Sequence, residues 1–195
     1  MTNSQARKQQ TQTIVMGAIM TAFVIVLQTI GSVTTFFGPF STAVALIPIV
    51  IGAALCGPII GAWLGFVFGM VVLITGGAAL FWAFDIPGTI ITVLVKGTVC
   101  GLVAGLSYKL LARFNKYLAV IIAALLCPLT NTAIFLLGCY MFFLPHATEI
   151  AAQLGMAQGG TALFWALAMG NFVLEIATNV ILAPVILRVL KFAKK

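Results

Sequence analysis

After Lys8 the next formally charged residue is Asp85, and everything between them is apolar runs broken by glycine, proline and small polar residues. No polar face recurs every three or four positions, so these runs do not read as the amphipathic helices of a soluble domain. Glycine and proline punctuate them instead: Gly31 closes the first run, and Cys56-Gly57-Pro58 makes a sharp reversal between the second and third. Pro87 suits the first turn of a later helix. A hydrocarbon core of ~30 Å calls for about 20 helical residues. The pattern predicts helices crossing a bilayer at about 11–30, 42–55, 59–74, 87–111, 117–143 and 161–190. Within the long loop 144–160, residues 148–156 are expected to form a short interfacial helix.

Composition sharpens this into a fold class. Of 195 residues, 63% are hydrophobic and 7% charged, whereas a soluble domain carries about a quarter charged residues. No soluble catalytic or ATP-hydrolysing domain fits on such a chain. The expectation is an all-α membrane protein, one transmembrane domain over residues 1–195. Its first span is longer than the apolar core of a signal peptide and is read as retained.

The net charge of +7 speaks to topology rather than to nucleic acid. Arg7 and Lys8 precede the first span; Lys109, Arg113 and Lys116 lie together where the fourth span gives way to the fifth; Arg188, Lys191, Lys194 and Lys195 lie at the C-terminus. With six spans all three clusters share a side, which the positive-inside rule makes the cytoplasm, so both termini are expected there.

Small residues mark where helices meet. Gly57, Gly61, Gly65 and Gly69 recur every fourth position in the third span, as do Gly97, Gly101 and Gly105 in the fourth. Such grooves let backbones approach closely, within the chain or against another membrane protein. Cys56, Cys100, Cys127 and Cys139 lie in apolar context without a CxxC pair, so they are read as packing residues and no metal site is expected.

Polar groups inside spans carry the functional signal, because a charge at a helix centre costs ~2.5–3.5 kcal/mol on insertion. Lys96 has Thr89 and Thr92 on its face of the fourth span. Asn131 follows Pro128 in the fifth, and Asn171, Glu175 and Asn179 form a stripe on the sixth. Their similar depths point to a common solute cavity, which the aromatic outer loops, with Phe37 and Trp82 among them, would close from outside. A Lys96–Glu175 ion pair with the asparagines as interhelical glue is the structural alternative. No nucleophile–base pair or clustered carboxylates fall within the spans, so an enzyme is not expected.

The sequence resembles a known family at Ala18-Ile-Met-Thr-Ala22, at Ala45-Leu-Ile-Pro-Ile-Val-Ile-Gly-Ala-Ala-Leu-Cys-Gly-Pro58 and at Gly61-Ala-Trp-Leu-Gly65. The family is that of the substrate-binding S components of energy-coupling factor (ECF) vitamin transporters. The run from Leu46 to Gly52 and the Pro128-Leu-Thr-Asn131 segment look most like pantothenate-type members. The resemblance implies that the chain binds a vitamin from outside a bacterial cell membrane and hydrolyses no ATP itself. It implies docking through Ala18 and Ala22 on a scaffold subunit that bears two cytoplasmic ATPases. Tipping in the bilayer would then release the vitamin inward. Lys96 would face the pantothenate carboxylate, with Asn131, Asn171 and Asn179 at its hydroxyls and amide. A pyridoxine-like vitamin or folate, or a standalone carrier or channel, remains the alternative.

Overall fold

The glycines and prolines that divide the sequence also end its helices. A computed structural model describes residues 3–34, 43–155 and 160–193, and among these the secondary structure is helical, with no strand. Helix α1 is Asn3–Thr34, α2 Leu46–Cys56, α3 Pro58–Ile74, α4 Ala79–Trp82, α5 Ile86–Leu111, α6 Lys116–Gly138, α7 Ala147–Gln153 and α8 Thr161–Ala193. Between α2 and α3 stands Gly57 at φ 95°, a left-handed conformation that glycine adopts without steric cost. Pro58 then opens α3 where its missing N–H loses no helical bond. At the start of α5 the Asp85 carboxylate accepts the Gly88 N–H at 3.0 Å, and Asn115 caps α6 through the N–H groups of Tyr117 and Leu118.

Two differences from the sequence expectation have simple causes. Helix α1 begins eight residues before position 11, because the polar N-terminal residues are good helix formers that hydropathy alone ignores. The chain after α6 does not break into a loop. It runs through a π turn at Cys139–Phe143 and a tight 3₁₀ turn at Leu144–His146 directly into α7. That puts the short helix at Ala147–Gln153 rather than at residues 148–156; Met156 lies outside the described residues.

Four helical stretches are long and apolar enough to cross a membrane: Gln10–Ser32, Ile86–Leu111, Lys116–Gln153 and Thr161–Asn179. Helices α2 and α3 are also apolar but have only 11 and 17 residues. Helix α2 rises just ~16 Å. Its residues from Leu46 to Ala54 are all buried, and α1, α3, α5, α6 and α8 all pack against it. A helix apolar on every side and wrapped by others is a core element whose length the bilayer does not set. The outer surface is the reverse of a soluble protein's: Ile14, Phe23, Ile59, Trp63, Ile74 and Leu110 all stand exposed, as lipid-facing residues do.

The glycine rows of α3 and α5 face each other in antiparallel register. A Cβ on Gly61 would strike the carbonyl of Gly101, one on Gly65 that of Gly97, and one on Gly105 the backbone of Pro58. The two backbones touch with no side chain between them, so these glycines are spent on intramolecular packing. Cys100, Cys127 and Cys139 are buried within the bundle.

Candidate solute site

Three helices each contribute one pair of residues spaced four apart, and the pairs meet. Helix α5 supplies Thr92 and Lys96, α6 supplies Asn131 and Phe135, and α8 supplies Glu175 and Asn179. The i, i+4 spacing puts both members of each pair on one helix face. Lys96 and Asn131 each stand about fifteen residues from the turn joining α5 to α6, so they lie at one level, roughly 22 Å along.

Local sequence shapes this level. Pro128 inside α6 has no N–H to give the preceding turn, which releases a carbonyl just below Asn131. Gly138 lets α5 come close, since a Cβ there would collide with the side chain of Thr92. Beyond it the π turn widens the helix, a distortion that recurs at functional sites.

Asn131 and Glu175 are 4% and 3% exposed and Asn179 is fully buried. The Asn131 amide nitrogen donates to both Glu175 carboxylate oxygens, at 3.0 and 3.3 Å. The Asn179 amide nitrogen donates to the Glu175 backbone carbonyl at 2.8 Å. Lys96 is half-buried, its ammonium 5.2 Å from the centre of the Phe135 ring, within cation–π range. It forms no ion pair with Glu175 among the described residues. Among the described residues three buried polar atoms have no hydrogen-bond partner: Thr92 Oγ1, Asn131 Oδ1 and Asn179 Oδ1. Thr89, by contrast, is satisfied within its helix, donating to the Asp85 carbonyl at 2.6 Å.

An aromatic layer covers this level. Phe81 of α4 meets the edge of Phe135, with centroids 5.7 Å apart, and lies 4.8 Å from Phe143. Phe84 lies tilted against His146, with ring centroids 5.5 Å apart. Trp82 is partly buried and packs instead against the main hydrophobic core, to which α1, α2, α3, α5, α6 and α8 contribute. Phe37 and the side chain of Asn171 lie outside the described residues. Ala18 and Ala22 are exposed on α1, on the face opposite the buried Gly17, Met20, Val24 and Gln28.

Two polar features fall outside the sequence expectations. Phe135 sits four residues after Asn131, a spacing that would have revealed it had aromatic partners for Lys96 been sought. Gln28, 2% exposed, donates to Ser32 at 3.3 Å, and Ser32 shares a 2.7 Å hydrogen bond with Thr75. This chain ties the ends of α1 and α3 together, and the lone amide in the first apolar run is its sequence signal.

Chemically, the arrangement brings an ammonium, two side-chain amides and a carboxylate together inside the bundle. Among the described residues no three His, Cys, Asp or Glu side chains cluster, and no base stands beside a nucleophile. Residues 12–189 match a family model described as ECF transporter, substrate-specific component. No curated protein sequence matches the chain.

Proposed function

The chain belongs to the family of ECF transporter substrate-specific components, and from that premise we propose that it captures pantothenate between α5, α6 and α8. As a family member it is the substrate-specific subunit of an importer and not an enzyme. It works in a membrane with ECF scaffold and ATPase subunits. The proposal adds the vitamin, the residues that hold it and the path inward.

The observation that carries it is the trio of buried polar atoms on Thr92, Asn131 and Asn179 that, like the Lys96 ammonium's charge, find no partner among the described residues. An unpaired buried polar group costs ~1–3 kcal/mol, and a bound solute removes that cost. Lys96 takes the carboxylate; Asn131 and Asn179 meet the hydroxyls and amide; Asn171, Glu175 and Phe37 complete the set, whereas Trp82, packed against the hydrophobic core, is left out of it. The Leu46–Gly52 run and the segment from Pro128 to Asn131 support pantothenate among vitamins. A neutral, pyridoxine-like vitamin is the second reading, favoured by Glu175 remaining unpaired with Lys96.

The proposal takes residues 1–195 as a single domain of six spans, α2 and α3 counting as two short ones, with both termini in the cytoplasm of a bacterial cell. The distribution of lysine and arginine supports this. Ala18 and Ala22, small and exposed on α1, dock on the scaffold, and ATP hydrolysis by the partners tips the subunit to release its load. The test is binding of labelled vitamins to the purified chain in nanodiscs without ATP or partners. Saturable binding of pantothenate is expected; failure to bind any vitamin in a full panel overturns the reading.

A further inference from the structure

Helix α5 outruns its neighbours at one end of the bundle, and the space beneath its overhang plays no part in solute capture. We propose that this space holds the headgroup of an anionic phospholipid, with the lipid phosphate at Lys109.

Local sequence makes the space. Helices α2 and α3 meet at Gly57, and α5 passes their turn at Gly105, where a Cβ would strike Pro58. Helix α5 then continues to Leu111, a further ~9 Å past the ends of both. Beneath it lies a cleft of about 400 Å³, with Cys56, Gly57, Gly105, Tyr108, Lys109 and Ala112 in its lining. At Gly57 nothing stands within 4 Å of where a Cβ would be, so the floor of the cleft is open.

Charge selects the occupant. Lys109, Arg113 and Lys116 are all exposed around the turn from α5 to α6, and no carboxylate among the described residues pairs with them. The chain has three acidic residues, and all lie elsewhere. Asp85 caps the far end of α5, Glu175 is bonded to Asn131 inside the bundle, and Glu149 is on α7. The same turn carries exposed Leu110, Phe114, Tyr117 and Leu118. Cations interleaved with exposed aromatic and aliphatic side chains mark the depth where headgroups meet hydrocarbon. Lys109 stands between Leu106 and Leu110, both exposed, so the basic rim of the cleft borders the lipid-facing side of α5. A basic pocket at headgroup depth suits an acidic lipid. A zwitterionic lipid would bring its own ammonium against three cations, and a soluble anion would gain nothing from the apolar rim.

The test reads the cleft through Cys56, which is partly exposed, whereas the other three cysteines are buried. Full-length chain is placed in nanodiscs of phosphatidylcholine, or of phosphatidylcholine mixed with phosphatidylglycerol. Alkylation of Cys56 by N-ethylmaleimide is followed by mass spectrometry. Phosphatidylglycerol is expected to slow it about fivefold or more, the worth of one lysine–headgroup contact. Lys109→Gln should remove most of that protection. Lys116→Gln deletes the same charge from the same turn but outside the lining of the cleft, and should keep it. Acidification at an anionic surface slows all variants alike, so the contrast between the two lysines reports the site itself. Labelling rates within about twofold in the two membranes overturn the inference. Equal protection in wild type and Lys109→Gln, or equal loss in both lysine variants, does the same, the latter showing diffuse attraction only. Protection by inorganic phosphate in phosphatidylcholine nanodiscs would give the cleft to a soluble anion, and protection seen only with the scaffold subunit present would give it to a protein; either overturns the lipid assignment.

Discussion

Replacing Asn131 by leucine keeps the volume of the side chain and removes the only described donor to the Glu175 carboxylate. Glu175 is 3% exposed, so water cannot take the amide's place without entering the bundle. A hydrogen bond to a charged group is worth ~1.5–3 kcal/mol, and about 2 kcal/mol is expected for the loss. In a chain of 195 residues each kcal/mol moves the melting midpoint by ~2–4 °C, so Asn131→Leu should melt ~4–8 °C lower. Glu175→Leu strands the Asn131 amide and should cost a similar amount. The double variant is the discriminating one. With both partners apolar nothing polar is stranded, and removal of a matched pair can be nearly neutral. Its loss should therefore fall short of the summed single losses by about 1.5 kcal/mol or more. The Asn179 bond to the Glu175 backbone survives in every variant, so the cycle isolates the side-chain pair. Thermal melts of the detergent-purified proteins, followed by tryptophan fluorescence, supply the four midpoints. Additivity within ~0.5 kcal/mol would refute the claim that these groups are bonded in the bundle.

Three further outcomes are expected. Gly65→Ala should lower the melting midpoint by several degrees, because overpacking against the Gly97 backbone costs ~1–3 kcal/mol, whereas Gly17→Ala, whose Cβ would rest 3.5 Å from Ile60, should leave it unchanged or raise it; equal midpoints for the two would count against the glycine seam. Phe135→Leu removes the ring beneath Lys96, worth ~0.5–2 kcal/mol, and should weaken vitamin binding several-fold; undiminished affinity would remove that ring from the site. Leucine at Ala18 or Ala22 should leave binding by the isolated chain intact while stopping uptake in cells with the scaffold and ATPases; normal uptake from both variants would end the docking assignment.

The helical architecture was legible because hydropathy and punctuation agree: Gly57-Pro58 and Pro87 stand where helices break and begin. The candidate site was legible only as α-helical stripes, since Lys96, Asn131, Glu175 and Asn179 are costly wherever they lie in hydrocarbon. What pattern could not reveal was pairing. Lys96 and Glu175 suggest an ion pair on paper, yet Glu175 is held by Asn131 and Lys96 by Phe135, and that choice depends on helix rotation, which no single-helix period encodes. Aromatic residues are equally ambiguous. Phe81 and Trp82 are neighbours in sequence, but the turn of α4 sends one over Phe135 and the other into the core. The shortness of α2 was visible in the sequence, but that five other helices pack around it was not.

The glycine seam has a mechanical consequence. Contacts made by side chains can give way through rotamer changes, but carbonyl against Cα offers no such slack, so α3 and α5 travel as one plank. Helix α1 is laid on that plank where Gly17 meets Ile60 and is pinned again through Ser32 and Thr75. Any tilt imposed on α1 is thereby a tilt of the lysine's own support, and no loop has to relay it.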